Sequence, residues 1–164
     1  IFCFVLTIKP SISDTPHFVD FKVILNQSNA GKQAQTFLKN KLEKGIANIR
    51  DKEKKIQDEE KKIIDQKKIL SQDEYKKKVK ELRNKVSSLQ KERNTLLSDV
   101  AKQRTKARTE LLKNLNPLLK EYMNEKKIRV VIDKKNVLAA DEKLDITKDI
   151  LSRLNSKLKS IKLN

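Results

Sequence analysis

A dense cluster of positive charge is the part of this sequence best suited to chemistry. Six basic residues lie within ten positions, namely Lys76, Lys77, Lys78, Lys80, Arg83 and Lys85. Ammonium and guanidinium groups spaced in this way attract carboxylates, phosphates and anionic surfaces. We therefore predict that this cluster attracts acidic or anionic partners.

Groups that could perform catalysis are few and poorly placed. The sequence has one histidine, His17, and one cysteine, Cys3, and only two glycines. A His and Cys metal shell and a glycine-rich phosphate loop each need more than this, and a Ser-His-Asp triad would depend on His17, which no nucleophile motif accompanies. Glu59 and Glu60 are adjacent carboxylates, but they lie in a charged stretch rather than in a pocket. We expect no enzyme activity, no metal site and no cofactor.

The overall charge favours an acidic partner. The chain of 164 residues has a formal net charge of +17, and residues 41–108 contain 22 basic and 12 acidic side chains. An exposed coiled coil that is merely solvated would usually be closer to neutral. Two alternative functions are open to a basic coiled coil. It could bind nucleic acid, or it could be a structural spacer. No nucleic acid is expected, because aromatic side chains for base stacking are scarce and there is no known reading module.

The elements that must position the basic cluster follow from two apolar registers. The first register contains Leu42, Ile49, Ile56, Ile63 and Leu70. The second contains Tyr75, Val79, Leu82, Val86, Leu89, Leu96 and Val100. These spacings of seven, four and three are the seam of a coiled coil. Because the break between the registers is short, residues 30–126 are predicted to form one antiparallel helical hairpin, called the arm below.

The ends and the weak points of the arm can also be predicted. The first helix should run from about Ala30 to about Leu70. The second should run from near Gln72 to about Lys126, because Ser71 and Glu74 have the spacing of a capping box. The seam alternates with polar side chains such as Glu53 and Glu60, so it should pack weakly. Pro117 should kink the second helix near its base.

Both ends of the chain are predicted to form a small body, from residues 16–29 and 127–158. Residues 16–20, 128–132 and 137–140 have strand-forming composition, and the last two should form a β-hairpin. Thr147 should cap a final helix that ends near Leu158, followed by a frayed basic tail at 159–164. The fold class is therefore α+β, mostly α, with a long helical hairpin inserted in a small β body.

A body with three short strands exposes its sheet edges and would be marginal alone. We therefore expect an oligomer that closes the sheet into a β-barrel. The residues predicted to form this contact are Phe18, Val19, Val130, Val131, Ile132, Val137 and Leu138.

The start of the sequence has the composition of a leader. Residues 1–8 are mainly apolar, and Ser11 and Ser13 suit a signal peptidase. We expect residues 1–13 to be the remainder of a signal peptide, with cleavage near Ser13 removing Cys3. A buried strand of the mature fold is the alternative.

Three stretches around the arm resemble the periplasmic chaperones of the Skp/OmpH family. Residues 19–32 (VDFKVILNQSNAGK) are similar to the opening strand and the start of the first arm helix. Residues 130–138 (VVIDKKNVL) are similar to the returning strand pair, and residues 144–151 (LDITKDIL) to the closing helix. Pro117 also lies where these proteins often have a proline. Each motif alone is weakly specific, but the order and spacing of the motifs around the arm are a stronger indication of the family.

The resemblance implies a periplasmic homotrimer with a central β-barrel and three arms around a cavity. It implies a holdase chaperone that binds unfolded outer-membrane proteins without ATP and prevents their aggregation. It leaves contact with anionic lipid or lipopolysaccharide open. Ala139 departs from the family pattern, where an aromatic residue is common.

Overall fold

The computed structural model describes residues 15–163, so the predicted leader and the cleavage near Ser13 lie outside the described residues. In chain order the regular elements are β1 (His17–Val19), α1 (Phe21–Gln27), α2 (Asn29–Asp65), α3 (Gln72–Lys126), β2 (Val131–Asp133) and α4 (Thr147–Lys157). Short 3-10 turns occupy Gln66–Lys68, Lys134–Asn136 and Glu142–Leu144.

Helices α2 and α3 form the predicted antiparallel hairpin. They contain 37 and 55 residues, which correspond to about 55 Å and about 80 Å of helix. Helix α2 ends five residues before the predicted position, because Gln66–Lys68 tightens into a 3-10 turn. Helix α3 continues as helix through Pro117, whose side chain is exposed. The proline therefore does not interrupt the helix.

The reversal between the two helices is set by the predicted capping box. The Ser71 hydroxyl accepts a hydrogen bond from the Glu74 backbone N–H at 3.3 Å, and the Glu74 carboxylate accepts from the Ser71 N–H at 3.0 Å. The hydrogen bond from the Ser71 hydroxyl also holds the pKa of the Glu74 carboxyl below its ordinary value. Two free amide groups at the start of α3 are thus satisfied locally.

The sheet of the body differs from the prediction. Strand β1 pairs in parallel with β2, with His17 opposite Val131 and Val19 opposite Asp133. The other edge of β1 is partly covered, since the Ile146 N–H donates to the Phe18 carbonyl at 3.0 Å. The sheet therefore has two strands among the described residues, and the predicted strand at 137–140 is wrong.

The reason for this correction is local hydrogen bonding by aspartates. The Asp133 carboxylate accepts from the Lys135 N–H, and the Asp141 carboxylate accepts from the Lys143 N–H. Each of these contacts begins a 3-10 turn, which competes with extended pairing. Residues 137–140 are left between the turns, and the Leu138 side chain is fully exposed.

Thr147 is not the cap of α4, although it lies at the start of the helix. Its backbone is already helical, and its hydroxyl accepts from the Asp20 N–H at 2.8 Å while donating to the Asp145 carboxylate. Thr147 therefore joins the first strand to the last helix. Partial burial raises the pKa of the Asp145 carboxyl, but hydrogen bonds from Thr147 and Lys134 outweigh this and leave the pKa below its ordinary value.

The hydrophobic core of the body includes the base of α3. Its fully buried side chains include Val19, Ile24, Leu115, Ile150 and Leu154. The corner between α1 and α2 is tight, because a Cβ at Gly31 would lie 2.0 Å from the Leu25 carbonyl oxygen. Only glycine fits there, which explains one of the two glycines in the sequence.

The C-terminal segment, residues 158–163, is packed rather than frayed, so this prediction is also wrong. Leu158 contacts the body core, Ile161 contacts both the body core and the base of the arm, and Leu163 is buried against the arm. These three apolar side chains allow the segment, which is neither helix nor strand, to cover one flank of the arm. We call this flank the covered flank.

Candidate binding surface on the arm

The structure splits the predicted basic cluster into two groups. All six side chains are exposed on α3, but Lys85 is paired with Glu59 of α2 at 2.7 Å. The other five form no ion pair within 4 Å among residues 15–163, namely Lys76, Lys77, Lys78, Lys80 and Arg83. These five are available to an anionic partner, and Lys85 instead holds the two helices together.

Apolar side chains are exposed close to these cations. Ile64 and Ile69, at the end of α2 and in the reversal, are 60% and 82% exposed. The Lys67 ammonium lies 5.8 Å from the centre of the Tyr75 ring, which ties the reversal to the first turn of α3. Residues 61–83 contain nine basic and four acidic side chains. The arm tip, residues 61–83, thus presents positive charge and apolar surface together.

In the middle of the arm, ion pairs across the hairpin supplement an interrupted apolar seam, in which Ile49 and Ile63 are buried. The Lys52 ammonium lies 2.7 Å from the Glu92 carboxylate, and Arg93 lies 2.8 Å from Glu53. The predicted polar interruptions are thus partly used for pairing across the hairpin. Exposed pairs of this kind contribute about 0–1 kcal/mol each, so they hold the register without much stability.

Two grooves flank the seam at the level of Ile56 and Leu89. One has a volume of about 230 Å³ and is bordered by Val86 and Arg93, and the other has about 420 Å³ and is bordered by Lys55 and Ser88. Ile56 and Leu89 line both grooves, so the apolar layer that separates the two grooves is this single pair of side chains. Val86 of the predicted seam is 51% exposed. The weak packing predicted for this region is present in the structure.

A close helix contact separates this weak region from the base of the arm. Gly45 of α2 faces Leu96 of α3, and a Cβ at Gly45 would lie 2.5 Å and 2.6 Å from the two Leu96 methyl carbons. Sequence reasoning missed this notch. The only available signal was a glycine at a seam-spaced position, three residues after Leu42 and four before Ile49.

The body is tied to the base of α3 by polar contacts along α4. The Tyr122 hydroxyl donates to Asp149 at 2.5 Å, Arg153 donates to both oxygens of Glu125, and Lys157 pairs with Glu121 at 2.8 Å. The Arg153 guanidinium also lies 4.8 Å from the centre of the Tyr122 ring. Burial, followed by the hydrogen bond to Asp149, raises the pKa of Tyr122 to about 12.

The residues predicted to join copies of the chain have different surroundings. Phe18 and Val19 are buried inside the body, and Lys134 lies 5.5 Å from the centre of the Phe18 ring. Val131 and Ile132 are half-buried in β2, whereas Val130 is 48% exposed. Val137 is half-buried and Leu138 fully exposed, both outside any strand. Their role between copies stays a prediction.

Within residues 15–163, none of the helices has a stretch long and apolar enough to cross a membrane. In the same part of the chain, no three side chains of the His, Cys, Asp and Glu types gather closely enough to hold a metal ion.

Comparisons with known proteins agree on one family. The model of the family described as OmpH, outer membrane protein (OmpH-like), matches residues 17–154. A crystal structure of a candidate outer membrane chaperone (OmpH-like) from Caulobacter crescentus superposes with a TM-score of 0.84 at 20% identity. The match covers 98% of this chain and 95% of that chain. No curated protein matches the sequence.

Proposed function

We propose that this chain, which belongs to the Skp/OmpH family of OmpH-like outer membrane proteins, is a chaperone that holds unfolded outer-membrane proteins without ATP. It binds these clients and prevents their aggregation, without catalysing a reaction. Family membership supports the general chaperone role. The observation that supports the holding mechanism is the arm, whose tip combines unpaired cations with exposed Ile64 and Ile69.

The weak contacts that the arm can make suit partners of different shapes. An exposed ion pair contributes about 0–1 kcal/mol, whereas nanomolar binding requires about 12 kcal/mol. A client would therefore be held by many weak contacts acting together, in the manner of multivalent binding. The thin apolar layer at Ile56 and Leu89 lets the arm bend at small cost, which suits clients of different sizes.

We further propose that three copies associate through the body. Strand β2 has one neighbouring strand among the described residues, and Val130 and Leu138 are exposed beside it. Backbone pairing at this edge would satisfy free amide and carbonyl groups, and the two exposed side chains would be covered. Three arms attached to one closed sheet would surround a client from several sides.

The proposed place of work is the periplasm, as expected for a chaperone of outer-membrane proteins. The arm tip also has the chemistry to contact anionic lipid or lipopolysaccharide, because its cations lie next to exposed isoleucines. Such a contact would keep a client close to the membrane that receives it.

An aggregation assay tests the holding function. An outer-membrane barrel diluted from urea should stay soluble with the wild-type protein and without nucleotide. A tip variant, K76E/K77E/K78E/K80E, should lose at least fivefold in apparent affinity. The matched control K102E/K106E/K113E/K120E makes the same charge change on exposed residues of α3 far from the tip, and it should lose less than twofold.

Two results would count against the proposal. Aggregation of the barrel at the same rate with and without the wild-type protein would remove the holding function. Equal losses in the tip variant and the control would leave the function but remove the assignment to the tip. Light scattering on the same samples measures the number of copies, and a monomer that holds the barrel would overturn the trimer.

A further inference from the structure

A third groove lies at the base of the arm, on the flank opposite the covered flank. It has a volume of about 1080 Å³, which exceeds the volumes of the two grooves beside Ile56 and Leu89. Its walls are residues 31–42 of α2 and residues 100–111 of α3, with Leu25 and Asn26 at one end. We call it the base groove.

The floor of the base groove is apolar and contains small side chains. Ala34, Leu38, Val100 and Ala107 line it, and all four are buried in one apolar cluster. The alanines leave room that larger side chains would fill, while the leucine and the valine supply apolar surface. A floor of this kind accepts apolar side chains from an occupant.

The rim of the base groove is positively charged. No acidic side chain lines the base groove. It is lined by four basic side chains, namely Lys32, Lys39, Arg104 and Arg108. Lys39 has a loose, exposed contact with Glu43 at 3.8 Å, which leaves most of its charge available. An occupant with carboxylates next to apolar side chains would match both the floor and the rim.

The covered flank shows what kind of ligand fits this pair of helices. There, the C-terminal segment, which is neither helix nor strand, places Ile161 and Leu163 against the layer of Ala34, Leu38, Val100 and Ala107. The same layer forms the floor of the base groove. One side of the layer is thus already covered by a stretch of peptide chain outside any helix, which favours a peptide over other apolar anions on the other side.

We propose that the base groove binds an extended stretch of client chain that carries apolar side chains and carboxylates. This inference rests on the proposed holding of unfolded proteins, and it gives one segment of the client a defined site. Residues 31–42 span about 17 Å of helix, which matches about five residues of extended chain. The base groove would fix such a segment where the arm is well packed, while the tip makes adaptable contacts.

A peptide-binding experiment tests the site directly. The probe is a labelled, unstructured nonapeptide with three leucines and three glutamates, and its partner has lysines in place of the glutamates. Fluorescence anisotropy should show binding of the glutamate peptide and at least tenfold weaker binding of the lysine peptide. The variant R104E/R108E should weaken the glutamate peptide at least fivefold.

A matched control separates the groove from general charge. The variant K102E/K113E changes the same charge on exposed positions of α3 that do not line the base groove. It should weaken binding of the glutamate peptide less than twofold. Equal weakening by the two variants would overturn the site.

Photo-cross-linking tests the location. Benzoylphenylalanine at Thr36, which lines the base groove, should cross-link the glutamate peptide, whereas the same group at exposed Ser98 should not. Cross-links at Thr36 that join two copies of this chain instead would overturn the inference, since the groove would then be an interface between copies.

The aggregation assay distinguishes the two proposals. If the wild-type protein holds the barrel but R104E/R108E binds the peptide normally, the base groove fails and the holding function stands. If the wild-type protein does not hold the barrel, the holding function fails, whatever the peptide shows.

Discussion

The base of α3 and its middle use opposite means to stay folded. At the base, Leu115 is fully buried, and Tyr122 is held by both burial and a hydrogen bond to Asp149. In the middle, Leu89 is half-buried between two grooves, and exposed ion pairs hold the helices in register. One continuous helix thus combines a well-packed base with a loosely packed middle.

The largest expected difference comes from truncating one apolar side chain in each region. Leu115→Ala should lower the free energy of unfolding by about 2–5 kcal/mol, because a buried leucine leaves a cavity. Ile56→Ala should cost about 1 kcal/mol, since its surroundings are already open on both sides. Urea unfolding followed by circular dichroism measures both. Equal losses would show that the middle of the arm is packed as well as the base.

The next effect concerns the boundary between the two regions, at Gly45. Gly45→Ala gains about 1 kcal/mol in helix propensity but forces Leu96 to move, at a cost of about 1–3 kcal/mol. We expect a net loss of about 1 kcal/mol. In the double variant with Leu96→Ala, the two changes should couple by at least about 0.5 kcal/mol. Strict additivity in thermal unfolding would mean that the helices are further apart than the structure shows.

A pH-dependent effect distinguishes the base from the middle. Tyr122→Phe removes the hydrogen bond to Asp149 and should cost about 1 kcal/mol at pH 7. The pKa of Tyr122 is raised from 10 to about 12, so its contribution is complete below pH 10 and is lost as the pH rises through 12. Urea titrations of both proteins between pH 8 and pH 12 should show the difference shrinking. A difference that stays constant with pH would contradict the hydrogen bond.

The smallest effect is expected for an ion pair in the middle of the arm. Glu92→Gln removes the pair with Lys52, and because both side chains are about two-fifths exposed, the loss should be less than about 1 kcal/mol. The loss should disappear in 1 M salt. In comparison, Glu125→Gln at the base should cost more, because Arg153 donates through two separate nitrogens and lies against the Tyr122 ring, whereas a single ammonium group contacts Glu92. Thermal unfolding at two salt concentrations orders the two variants.

The features that could be predicted from the sequence depend on contacts between residues that are close together in the chain. The seam of seven-residue spacings and the Ser71–Glu74 capping box involve groups a few positions apart, and the structure confirms the hairpin that they predict. The polar seam positions also predicted weak packing correctly. Their pairing across the hairpin, as with Glu53 and Arg93, depends on the register between two helices and was not visible in either helix alone.

The wrong predictions share a different cause, which is competition from a distant or unexpected partner. Thr147 has the composition of a helix cap, but the Asp20 N–H, more than a hundred residues away in sequence, uses its hydroxyl. Residues 137–140 have strand-forming side chains, but Asp133 and Asp141 draw the neighbouring amides into turns. For the candidate surface, the basic cluster was predictable from composition, whereas the base groove exists only once both helices are in place.

The parallel pairing of β1 with β2 has a consequence for the order in which this molecule assembles. His17 must find Val131 across more than a hundred intervening residues, and closing a flexible loop of that length is entropically unfavourable. Once α2 and α3 have packed together, only two short segments, residues 20–28 and 127–130, connect the hairpin to the strands, so little chain entropy remains to be lost when the strands pair. We therefore expect the hairpin to form first and to bring the two strands together, so that the sheet is the last part of the chain to form.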